Sequence, residues 1–195
     1  RERLSLAQVI ARAFETAAPL FEQQRHELVT NVARDLAVDA DEARLMQVFS
    51  NLLTNAAKYT DPGGRVVVTA EPEGELVMVS VTDTGRGMAP DMVPRVFELF
   101  VQERSNLDRA RGGLGLGLAI VRSLVDVLGG TLKVESEPGV GSRFWLEIPF
   151  SLATSASKDS SSSSSLPTIP NRMVALDATR LAEVCGDDPD FLDAV

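Results

Sequence analysis

Asn51, Asn55 and either Lys58 or Tyr59 fall at i, i+4 and i+7 or i+8, so a helix would gather them into one polar stripe beside apolar Leu52 and Ala56. The amide oxygen of Asn55 suits a hard cation such as Mg²⁺, which keeps most of its shell as water and phosphate oxygens. Lys58 can approach phosphates and Tyr59 can pack on a flat base, although a solvated helix face carries the same residue types. Farther along, Asp83-Thr84-Gly85-Arg86-Gly87 places a carboxylate ahead of two glycines. The carboxylate can accept from an exocyclic amine such as that of adenine, and Gly85 and Gly87 let the backbone come close to a ring. Asp-x-Gly is also a common structural turn. A third piece, Arg111-Gly112-Gly113-Leu114-Gly115-Leu116-Gly117, opens an apolar helical stretch. Helix N-terminal N–H groups and the helix dipole favour anions, so triphosphate oxygens fit there. No Gly-Lys-Ser/Thr follows, which excludes a Walker loop, and the glycine spacing does not suit a dinucleotide turn. Arg104, Arg109 and Arg111 could close over phosphates. Each piece alone is a weak signal; the three in this order read as a nucleotide site.

The elements that must position these residues follow from apolar periodicity. Leu4, Val9, Ile10, Phe14, Leu20 and Phe21 predict an amphipathic helix ending near Gln24, and Leu28 to Val32 a short strand. Asp39 or Asp41 can cap the next helix, whose buried stripe is Leu45, Val48, Phe49, Leu52 and Ala56 and which fades near Pro62-Gly63-Gly64. The Val- and Thr-rich runs 65–71 and 76–83 predict a hairpin. Residues 84–112 hold too many Gly, Pro, Arg and Asp for continuous regular structure, apart from a short helix around Met92 to Phe100. A helix from Leu116 to Leu128 stops at Gly129-Gly130, and runs 131–136 and 142–149 form a second hairpin. This mixed order predicts an α+β fold, a two-layer α/β sandwich with one mixed, mostly antiparallel sheet and helices on one face.

The chain of 195 residues is 44% hydrophobic, enough for one domain with a substantial core and an appendage. After Phe150 the composition changes: six consecutive serines begin at Ser160. Residues 153–172 read as a Ser/Pro-rich flexible linker, and 173–195 as a helical segment carrying Leu181 and Val184. A formal net charge of −9 argues against a nucleic-acid partner. Cys185 is the one cysteine and His26 the one histidine, so these residues supply neither a disulfide nor a His/Cys zinc cluster. No run of about 18 apolar residues could span a bilayer, and the first 20 residues lack the apolar centre of a signal peptide. A cytoplasmic protein with no direct membrane contact is expected.

Residues 1–150 resemble the catalytic ATP-binding domain of sensor histidine kinases, in the ATPase superfamily shared with DNA gyrase, heat-shock chaperones and mismatch-repair ATPases. Asn51 to Tyr59 resembles the N box, Asp83 to Gly87 the first glycine box, Val96-Phe97-Glu98-Leu99-Phe100 the F box, and Gly113 to Gly117 the second glycine box. The resemblance implies a catalytic domain over 1–152 in which Asn55 binds Mg²⁺, Lys58 contacts phosphate, Tyr59 packs on adenine and Asp83 accepts from its amine. It also implies Phe97 beside the nucleotide and an ATP lid over 101–117, with the γ-phosphoryl passing to a histidine on a separate phosphoacceptor and dimerisation domain and then to a response-regulator receiver. Gyrase-like hydrolases in the superfamily have a Glu as general base where Asn51 stands, and an amide is a poor base. An ATP hydrolase, an ATP-gated clamp or a nucleotide-sensing module is the rival expectation. His26, where a helix meets a strand, is expected to be a surface turn residue and not the phosphoacceptor. Residues 176–192 resemble the opening helices of histidine phosphotransfer domains of hybrid kinases.

Overall fold

A computed structural model describes residues 1–33, 36–99 and 116–149. Strand β1 (Glu2–Ser5) leads into helix α1 (Leu6–Gln24), followed by β2 (Glu27–Val32), β3 (Ala37–Ala40) and helix α2 (Glu42–Tyr59). Then come β4 (Arg65–Glu73), β5 (Leu76–Asp83), helix α3 (Gly117–Leu128), β6 (Thr131–Glu137) and β7 (Gly141–Pro149). The main sheet has the order β2-β4-β5-β7-β6, parallel only between β2 and β4. That parallel pair needs a crossover, and α2 supplies it. The fold is the expected α+β sandwich with a mixed, mostly antiparallel sheet.

Alternation along each strand sorts the sheet into two faces. The inner face carries Val66, Val68 and Ala70 of β4, Val77, Val79 and Val81 of β5, and Phe144, Leu146 and Ile148 of β7, all buried. Leu6, Val9, Ile10, Ala13, Ala17 and Phe21 of α1 pack there with Leu45, Val48, Phe49, Leu52, Leu53, Ala56 and Ala57 of α2 and Val121 and Val125 of α3. The apolar layer stops at one end of the sheet. Register pairs Val66 with Asp83, Asp83 with Ser142 and Ser142 with Ser136, so beyond Val66 the last row of the inner face is polar.

Local chemistry sets the helix ends. Asp41 caps α2 by accepting from the Arg44 N–H at 3.1 Å, with Glu42 in the first turn and Lys58 in the last, as the helix dipole favours. At the end of α3, Gly129 takes the left-handed conformation (φ 80°) while the Gly129 and Gly130 N–H groups close on Asp126 and Val125 carbonyls. No helix among the described residues is long and apolar enough to cross a membrane.

Three features depart from the expectations. The first helix begins at Leu6, because residues 2–5 pair antiparallel with residues 37–40 in a separate two-stranded sheet. The short helix expected around Met92 to Phe100 is, over its described part, a single 3₁₀ turn at Val93–Arg95, begun by Pro94 in its first turn. His26 lies in the turn between α1 and β2, but its ring is half-buried: Nε2 sits 3.0 Å from the Ala57 carbonyl of α2, and the ring packs edge-on against Phe21. Residues 153–195, including Cys185 and the segment resembling a phosphotransfer domain, lie outside the described residues.

Candidate functional site

The helical period places Asn51 and Asn55 one turn apart on α2, half-buried, and the start of α3 runs past them. A Cβ added to Gly117 would lie 3.7 Å from Asn55 Nδ2, 3.9 Å from Asn51 Oδ1 and 4.0 Å from Asn55 Oδ1. The last glycine of the sequence run thus sits directly on the amide stripe. No side chain caps α3 at Leu116, so no capping side chain takes up its first N–H groups. The Nδ2 of Asn51 is buried and has no hydrogen-bond partner among the described residues, a polar group at the same place.

The end of α2 is stitched to the turn after β5. The Arg86 N–H donates to the Tyr59 carbonyl at 3.1 Å, and a Cβ on Gly85 would fall 2.4 Å from that same carbonyl oxygen. Only glycine permits this approach. Tyr59 is 41% exposed, with the Arg86 guanidinium 4.9 Å from its ring centroid. Gly87 has φ 65°, and a Cβ there would overlap the Glu137 carbonyl at 1.8 Å. The Gly139 N–H then donates to the Arg86 carbonyl at 2.8 Å, so the turn lies flat against the β6–β7 hairpin.

Asp83 ends β5 at the polar row, 4% exposed. Gly85 N–H donates to its Oδ1 at 3.0 Å and Ser142 N–H to the same oxygen at 3.3 Å, which leaves Oδ2 for a further donor. Burial pushes the carboxyl up from 3.8 to about 6, and these two backbone hydrogen bonds hold it from rising further. The group is therefore mostly ionised at neutral pH, an acceptor held away from bulk water. Ser142 and Ser136, with hydroxyls 2.9 Å apart, complete the row. Neither serine stands out in the sequence, where runs 131–136 and 142–149 mark only a hairpin; the available signal is the Gly139-Val140-Gly141-Ser142 pattern between two strands.

Phe97 packs edge-on against Phe144 of β7, centroids 6.5 Å apart, beneath the Arg122 guanidinium of α3. It pins the segment after the glycine turn to the sheet one step along from Ser142. Lys58 lies half-buried in the last turn of α2, and Leu116 half-buried at the head of α3. Arg104, Arg109, Arg111, Gly113, Leu114 and Gly115 lie outside the described residues. The described residues hold no cluster of three or more His, Cys, Asp or Glu side chains fit for a metal. A cation here would take the Asn55 amide oxygen and find its other ligands on water and phosphate, which is how Mg²⁺ is usually held in nucleotide sites.

A sequence profile of histidine kinase-, DNA gyrase B-, and HSP90-like ATPases matches residues 40–152, which contain α2, both hairpins and the polar row. The chain belongs to this family. Among individual proteins, this ATPase domain is 39% identical to the sensor protein GacS of Pseudomonas syringae pv. syringae over 137 residues, 67% of this chain and 15% of GacS. Its fold is similar to that of a mycobacterial sensor histidine kinase, MprB, with a TM-score of 0.66 at 30% identity, covering 76% of this chain and 98% of that one. It is also similar to full-length ShkA in complex with AMPPNP, with a TM-score of 0.68 at 36% identity, covering 78% of this chain and 31% of that one. The described fold is thus an ATP-binding catalytic domain of the histidine-kinase type. The chain spans only 12 to 16% of the length of the curated relatives it matches.

Proposed function

We propose that residues 1–152 bind ATP with Mg²⁺ and donate its γ-phosphoryl group to a histidine on a separate phosphoacceptor and dimerisation domain, from which a response-regulator receiver takes it. The observation that carries this reading is the meeting of Gly117, at the head of α3, with the amides of Asn51 and Asn55. Asp83 holds the exocyclic amine of adenine at the polar end of the sheet, with Tyr59 packed on the base. Gly85 and Gly87 keep the wall of the base pocket free of side chains. Lys58 and Arg111, with the backbone of Gly113, Leu114, Gly115, Leu116 and Gly117, bind the phosphates, and Phe97 fixes the segment that leads into them. Asn55 would hold Mg²⁺, which when bound neutralises phosphate charge. Phosphoryl transfer asks mainly for such positioning and charge balance.

Asn51 decides between transfer and hydrolysis. Its amide cannot take a proton from water as a carboxylate can, so attack by water is left without a general base and an incoming imidazole nitrogen, already a nucleophile, is favoured. Residues 153–172 serve as a linker and 173–195 as the opening of a phosphotransfer domain, the arrangement of a hybrid kinase, and the site works in the cytoplasm, where ATP is supplied. Incubating the 195-residue chain with γ-labelled ATP and a separately prepared phosphoacceptor domain tests the proposal. Acid-labile label on the acceptor is the expected result. Free phosphate without protein label would replace the kinase reading by a hydrolase, and neither product would leave a nucleotide-binding module.

A further inference from the structure

The Ser136 hydroxyl stands at the junction of three segments. It accepts from the Met88 N–H at 2.8 Å, donates to the Gly141 carbonyl at 3.0 Å and lies 2.9 Å from the Ser142 hydroxyl. A serine hydroxyl has one hydrogen and two lone pairs. With its hydrogen on Gly141 and one lone pair on Met88, Ser136 can meet Ser142 only as an acceptor. The Ser142 hydrogen is therefore turned toward Ser136, and the lone pairs of Ser142 are left facing away. Ser142 is 7% exposed and stands beside Asp83 in register on the inner face, its own N–H already spent on Asp83 Oδ1. The polar row thus presents acceptors side by side: the free oxygen of Asp83 and the oxygen of Ser142.

We propose that Ser136 is a positioning residue for base recognition, fixing Ser142 as an acceptor so that the pocket takes a 6-amino purine and rejects a 6-oxo purine. The inference rests on the nucleotide reading above and adds to it the group that sets selectivity. A 6-amino group carries two N–H donors and satisfies both oxygens, directly or through one water; a 6-oxo group has only lone pairs, and the single N1–H beside it can serve just one of the two oxygens, leaving the other opposed. Without the Ser136 hydroxyl, Ser142 rotates freely and can offer its hydrogen to a 6-oxo base.

Calorimetric titration of the 195-residue chain with ATP and with inosine triphosphate gives the test, because loosening of the Met88 turn alone would weaken both nucleotides alike. Ser136→Ala should lower the ratio of ATP to inosine triphosphate affinity by about tenfold, the usual size of one buried hydrogen bond. Ser136→Thr, which keeps the hydroxyl, should hold the ratio at the wild-type value. Ser142→Ala leaves Ser136 bound to Met88 and Gly141 and should lower the ratio as Ser136→Ala does, so the inference stays testable if Ser136→Ala unfolds. An unchanged ratio in Ser136→Ala or in Ser142→Ala overturns it. Asp83→Asn serves as the separate control: a ratio unmoved by that change would overturn the base-pocket reading itself, whereas a ratio moved by Asp83→Asn but not by the serine variants removes only the role of Ser136.

Discussion

Asp83 shows what a buried carboxylate costs its fold. Its pKa is raised from 3.8 to about 6 by burial, so the folded state holds the proton more tightly than the unfolded chain does. Stability from this group is fully present below about pH 4 and is lost as the pH rises toward 6. The loss comes to roughly 3 kcal/mol at neutral pH, at 1.36 kcal/mol per unit. Asp83→Asn keeps an oxygen for the Gly85 and Ser142 N–H groups and removes the buried charge. The nucleotide-free variant should therefore melt above wild type at pH 7.5, with the gain shrinking as the pH falls to 4; a lower melting temperature at pH 7.5 would contradict the buried-charge account. The same change replaces an acceptor by a donor where an adenine amine would sit, and should weaken ATP binding by at least about tenfold, measured by calorimetry. Wild-type affinity should also fall below pH 6 more steeply than that of Asp83→Asn. The terminal phosphate of the nucleotide titrates in the same range, but identically for both proteins. Asn55→Ala should reduce ATP affinity more with Mg²⁺ present than with the metal chelated, and equal losses would count against Asn55 as the metal residue.

The elements that carry these residues were legible where periodicity was long. Two full apolar stripes marked α1 and α2, and alternation in β4, β5 and β7 marked the hairpins, because burial on one face repeats over many residues. The pairing of β1 with β3 was not legible: four residues each, joined across the whole of α1, leave no local pattern. Ser142 escaped for a different reason, since its meaning comes from its register opposite Asp83, a contact between distant strands. Glycines could be recognised as turn-formers, yet their clearances could not. Gly87→Ala places a Cβ 1.8 Å from the Glu137 carbonyl at a positive φ, so either the turn or the hairpin must move. A loss of about 2 kcal/mol or more in urea unfolding is expected, together with weaker ATP binding. Asp41→Ala, by contrast, should cost about 1 kcal/mol as the loss of one helix cap and leave nucleotide affinity near wild type, because the cap lies at the far end of α2 from Asn55.

Across the whole molecule, one end of the sheet joins parts that are far apart in sequence, and His26 shows how the rear of the site is braced. The imidazole bridges the turn after α1 to the Ala57 carbonyl of α2, one residue before Lys58, and packs on Phe21. Around it the Gly63 N–H donates to the Gln24 carbonyl and the Glu27 N–H to the Gly64 carbonyl, so α1, β2 and the loop after α2 close on one another. A histidine that receives phosphoryl groups needs a ring nitrogen open to the γ-phosphate of a bound nucleotide. Here Nε2 is engaged and Nδ1 is buried. As His26 is the one histidine among the 195 residues, the chain should acquire no acid-labile label of its own with γ-labelled ATP. His26→Gln should lower stability by roughly 1 to 2 kcal/mol through the lost bridge and ring packing. It should leave the rate of label transfer to a separate phosphoacceptor domain within about twofold of wild type, since the ring meets α2 through the Ala57 backbone carbonyl and packs on Phe21, a core side chain. Label on the isolated wild-type chain that disappears in His26→Gln would show instead that this histidine is reached by the nucleotide, which would require α1 to part from α2.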